Sequence, residues 1–86
     1  MPYINKKERV GFENLVLTMH ESSINSAGEL NYLLTQLVYA FLDQKPNNYQ
    51  SYNDALGAIE GCKMELYRRT ISKYEDVKIN ENGDVP

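Results

Sequence analysis

Several things that carry chemistry in other small proteins are scarce in these 86 residues. There is one cysteine, Cys62, and one histidine, His20. A single cysteine excludes an internal disulfide and a cysteine-based zinc site, and it suits a reducing compartment. A single histidine leaves no Glu-x-x-His pair with which to build a metal centre. A Cys–His nucleophilic couple is formally possible, but helical periodicity places Cys62 on the buried side of its helix, where a thiol behaves as a small hydrophobe. Walker, dinucleotide-binding and G-x-S-x-G loops are absent. The sequence therefore reads as that of a non-enzyme, with no catalytic residue, cofactor or metal ligand to name.

Basic charge is also in short supply. Nine Lys and Arg against twelve Asp and Glu leave a net charge of −3, the opposite of the basic footprint of a general nucleic-acid binder. No apolar run is long enough to span a membrane, and "MPYINKKERV" lacks the apolar centre of a signal peptide. A cytoplasmic protein is expected. Alternating strand patterns, repeats and low-complexity segments are missing too.

What is present is helix. Asn5 with Glu8, Ser26 with Glu29 and Ser51 with Asp54 each put a short acceptor ahead of an acid, the signature of a helix start. These signals predict helices at about 6–22, 27–43 and 52–76, joined by "SSINSAG" and "QKPNNYQ". The expected fold is all-α, a small three-helix bundle or helical hairpin assembly. It comprises one helical domain over 1–76 and a polar C-terminal tail over 77–86. The apolar stripes are Phe12, Leu15, Val16 and Met19; then Leu30, Leu33, Leu34, Leu37, Val38 and Phe41; then Tyr52, Ala55, Leu56, Ile59, Cys62, Leu66 and Tyr74. So short a chain buries little surface alone, and self-association is a common remedy.

Three regions have more than one reading. Tyr32 and Tyr39 lie opposite Leu30 and Leu37, either as ordinary half-exposed tyrosines or as a contact strip for a subunit or ligand. In "GAIEGCKMELYRR", Gly57, Gly61, Met64 and Arg68 share one side. The glycines either serve local packing or let a partner helix or ligand approach the backbone. On the other side, Lys63 snorkels outward, pairs with Glu60, or joins Tyr67 and an arginine in holding an anion. Arg offers a planar fork for phosphate and Tyr a stacking face. Arg68 and Arg69 point apart, so two subunits would be needed to bring them together. The tail "YEDVKINENGDVP" is either frayed or laid over a neighbour through Val77, Ile79 and Val85, with Asn82-Gly83 as a turn signal.

"GELNYLLTQL", "LGAIEGCKMELYRR" and "YEDVKINENGDV", with the opening "MPYI", resemble an uncharacterised family of short phage and bacterial proteins classed as a domain of unknown function. The chain departs from that pattern at Gly61, where a bulkier residue is expected, and at Pro86, where an aromatic end is expected. The resemblance implies a phage or mobile-element setting and supplies no activity. Small helical phage proteins often act by occupying a target, whether a host defence protein or a nucleotide second messenger.

The leading expectation is therefore a homo-oligomer that sequesters a small anionic, nucleotide-like signal at subunit boundaries. Arg68 and Arg69 would take phosphates, Tyr32, Tyr67 or Tyr74 would stack a base, Asn31 and Lys63 would add polar contacts, and Gly57 would allow close approach. The alternative is an inhibitor or accessory that docks on a host defence protein through its acidic and tyrosine-rich surface.

Overall fold

The computed structural model describes residues 4–85, so Pro86 and the first three residues of "MPYI" lie outside the described residues. Every regular element among them is helical. In chain order they are α1 (Lys6–Arg9), a 3-10 turn (Val10–Phe12), α2 (Glu13–Glu21), α3 (Ala27–Asp43), α4 (Tyr49–Leu66), a π turn (Tyr67–Ile71) and α5 (Ser72–Asn82). The protein is all-α, with three helical stretches.

Two of the expected caps are formed. Glu8 N donates to Asn5 Oδ1 at 2.9 Å while Asn5 Nδ2 donates to Glu8 Oε1 at 2.7 Å. Glu29 N donates to Ser26 Oγ at 3.1 Å, and the Glu29 carboxylate accepts from Asn25 N at 2.8 Å. The third is displaced. Asn48, not Ser51, starts α4: its Oδ1 accepts from Ser51 N at 2.9 Å and from Ser51 Oγ at 3.1 Å. Asn outranks most residues as a cap because its carbonyl reaches the free N–H groups of the first turn. The helix therefore begins three residues before the expected position.

Two further boundaries move. The first stretch ends at Glu21 and tightens into a 3-10 turn at Val10–Phe12. The last runs on to Asn82, well past the expected end near 76. No glycine or proline intervenes before Gly83, which takes φ 82° and donates its N–H to Ile79 O at 2.8 Å. Asn82-Gly83 is thus a helix stop in the left-handed region that glycine enters freely.

The chain divides into two units, residues 1–39 and 40–86. In the first, no described residue is buried, and the stripe residues Phe12, Leu15, Val16, Met19, Leu30, Leu33, Leu34 and Leu37 are all exposed. In the second, Ala55 at 6% and Ser51 at 8% exposure are the buried residues, with Leu42 half-buried. Cys62, expected on a buried side, is exposed. Of the expected stripes only Ala55 is buried among the described residues, and most of each stripe is uncovered.

Candidate functional site

Six of the eight candidate ligand-binding residues, Gly57, Lys63, Tyr67, Arg68, Arg69 and Tyr74, lie along α4, the π turn and α5. The other two, Asn31 and Tyr32, lie on α3 in the first unit. There Asn31 O accepts from Thr35 Oγ1 at 2.9 Å. Tyr32 lines a groove of about 750 Å³ whose apolar walls include Leu15, Met19, Ile24 and Leu33.

The π turn falls on Tyr67-Arg68-Arg69. Ser72 N reaches back five residues to Tyr67 O, and Ser72 Oγ donates to Arg68 O at 2.8 Å. Such turns take up one residue more than an α turn and recur at functional sites. That extra residue changes which side chains meet. Eight residues of straight α-helix rotate by about 800°, leaving the ends about 80° apart; one residue fewer leaves them about 20° apart. Across the π turn, Tyr67 and Glu75 therefore share a face, and Tyr67 Oη donates to Glu75 Oε2 at 2.8 Å.

The polar groups of this helix are mostly engaged with carboxylates. Lys63 Nζ stands 3.5 Å from Glu60 Oε1, with both side chains well exposed, so the Glu60 pairing is the reading the geometry fits. Arg69 Nε pairs with Glu65 Oε1. Lys78 Nζ sits 5.6 Å from the Tyr74 ring centre and 3.1 Å from Glu81 Oε2. Arg68 has no ion-pair partner among the described residues. A Cβ at Gly57 would meet nothing within 4 Å, so the helix is open to approach there.

Glu65 and Glu75 were missed as partners. The Glu65–Arg69 spacing of four was a usable signal. Glu75 had none, because the π turn leaves no mark in an α-helical wheel.

The bond to Glu75 holds the Tyr67 hydroxyl in its neutral form, and the carboxylate charge opposes phenolate formation. Both raise the Tyr67 pKa above the ordinary 10.0. The sign follows: stabilisation from this bond is complete below the unfolded value and is lost as pH rises through the higher folded value. In a ¹³C-tyrosine NMR titration, Tyr67 should ionise above the ordinary value, and Glu75→Gln should return it toward that value. An unchanged Tyr67 titration in that variant would remove Glu75 as the cause.

The family model for a domain of unknown function, DUF6899, matches residues 1–85. The chain belongs to that family. No curated protein and no solved structure matches it. Among the described residues of this DUF6899 protein, no three His, Cys, Asp or Glu side chains are placed to share a metal ion. No described helix is long and apolar enough to cross a membrane.

Proposed function

We propose that this DUF6899 chain is a non-enzymatic, homo-oligomeric binding protein of phage type that acts in the host cytoplasm. Its ligand is a small anionic molecule of nucleotide type, a host-defence signal that it holds out of circulation. The observation that carries this reading is Arg68: a guanidinium with no ion-pair partner among the described residues, on a π turn, flanked by Tyr67 and Arg69, in a protein of net negative charge. A guanidinium offers a planar fork of donors that suits a phosphate. Arg69 and Lys63 of a second copy would join it at the subunit boundary by exchanging Glu65 and Glu60 for phosphate oxygens. For Lys63 the exchange is cheap, because exposed ion pairs contribute only about 0.2–1 kcal/mol. Tyr67 or Tyr74 would stack a base, and Gly57 would leave room for one flank of the site.

Thermal shift against a panel of linear and cyclic nucleotides tests this. A ligand at a hundred times its Kd stabilises by about 2.7 kcal/mol, which raises the Tm of a small protein by several degrees. Arg68→Ala should abolish the shift while leaving the far-UV circular dichroism intact. No shift with any nucleotide, from a folded protein, would overturn the nucleotide reading. It would favour docking on a host protein through the acidic and tyrosine-rich surface instead.

A further inference from the structure

Of the nine asparagines, only Asn82 is followed by glycine. That pairing carries chemistry of its own. A backbone nitrogen that loses its proton attacks the side-chain carbonyl carbon of an asparagine just before it, and a side chain on the attacking residue hinders the approach. Glycine has no Cβ, and the space where one would stand at Gly83 is empty to 4 Å. Both residues are exposed, so water and base reach them.

The fold sets a condition on that reaction. Asn82 is the last residue of α5. The Gly83 nitrogen, which would be the nucleophile, closes the helix by donating its N–H to Ile79 O at 2.8 Å. Attack on Asn82 Cγ requires that proton to leave and that nitrogen to swing toward the side chain. Both movements break the bond to Ile79. Helix ends fray more readily than helix middles, so opening of this last turn is the gate.

We propose that Asn82 is a site of spontaneous covalent modification, held in check by the last turn of α5. On opening, Gly83 N bonds to Asn82 Cγ, the Cγ–Nδ2 bond breaks, and Nδ2 departs as ammonia with the former Gly83 amide proton. One water then opens the succinimide at either carbonyl to give aspartate or isoaspartate, with nothing oxidised or reduced. The product adds a negative charge to a chain of net −3. It does so at a helix C-terminus, where the macrodipole disfavours an anion. Isoaspartate also lengthens the main chain just where Gly83 must reach Ile79. Each product therefore loosens the turn that delayed its formation. Once the ammonia is lost the change does not reverse, which makes this helix end a one-way latch.

Peptide mapping of the full-length protein after ageing near neutral pH tests this. Trypsin cuts after Lys78, so one peptide begins at Ile79 and carries Asn82 together with Asn80, an internal control followed by Glu81. Conversion should appear at Asn82 and not at Asn80, in both aspartyl and isoaspartyl forms. It should run about two- to tenfold slower in the native chain than in urea, the protection that one backbone hydrogen bond provides. In the Asn82→Asp chain, the Gly83 amide should lose about two- to fivefold of its protection from hydrogen exchange. No conversion at Asn82 in urea, or faster conversion at another asparagine of the native chain, overturns the site. Equal rates at Asn82 in the native chain and in urea overturn the check by α5. Unchanged Gly83 protection in Asn82→Asp overturns the latch.

Discussion

Tenfold dilution should lower the melting temperature of this protein by about 3–6 °C if it is a dimer, since each decade of concentration is worth about 1.4 kcal/mol per dimer and 150–250 folded residues lose about 2–4 °C per kcal/mol. Few small proteins show such dependence. The reason to expect it here is that Ala55 and Ser51 are the buried residues among those described, and no large side chain is fully enclosed. Helices in water are marginal without packing, because nucleation is unfavourable and each fixed residue loses about 1–2 kcal/mol of backbone entropy. The capping bonds at Asn5, Ser26 and Asn48 contribute about 1 kcal/mol each, far too little to offset that loss. Exposed ion pairs such as Lys63–Glu60 and Lys78–Glu81 add less. The missing stabilisation has to come from covering Phe12, Leu30, Leu37, Ile59 and Leu66. If that cover is another copy, folding is coupled to association, and stability depends on concentration. Circular dichroism melts over two decades of concentration check this. A melting point independent of dilution would place the cover within the chain itself and sink the homo-oligomer.

The same distinction explains what could be read from the sequence. Helix existence was legible, because Asn5, Ser26 and the Leu30-to-Phe41 stripe are local signals, and the 27–43 helix has the expected bounds. Asn48 was passed over in favour of Ser51 because "NNYQS" offers several side-chain acceptors in a row. Periodicity says which face is apolar but not what lies against it. An intrachain core and an interchain seam leave the same trace, which is why Cys62 and Leu66 were read as buried. At the candidate site, spacing offered the Lys63–Glu60 pair as one of three readings of Lys63, and the structure shows that pair. The Tyr67–Glu75 bond did not, because "YRRTI" contains no glycine or proline to signal a π turn. One residue of register separates a Glu75 about 80° round the wheel from Tyr67 from a Glu75 at 2.8 Å.

Ala55→Asp should cost about 3 kcal/mol or more, whereas Ala58→Asp, three residues further along the same helix, should cost about 0.6 kcal/mol. Both replace alanine in the interior of α4 and incur the same loss of helix propensity, about 0.6 kcal/mol. They differ in surroundings: Ala55 is buried at 6% exposure and Ala58 is exposed. One turn before Ala55, Ser51 is also buried, and its hydroxyl already donates to Asn48 Oδ1, so no free donor is at hand for a new carboxylate. A carboxylate there must either ionise without a partner or take up a proton, and both are costly. Burial raises its pKa, so the penalty should be largest at neutral pH and shrink as the solution is acidified through the carboxylate range. Melts at one fixed protein concentration, at pH 7 and again near pH 4, measure both effects. Equal penalties for the two variants would show that Ala55 is not packed, and that even this small core of the second unit forms only when a partner is present.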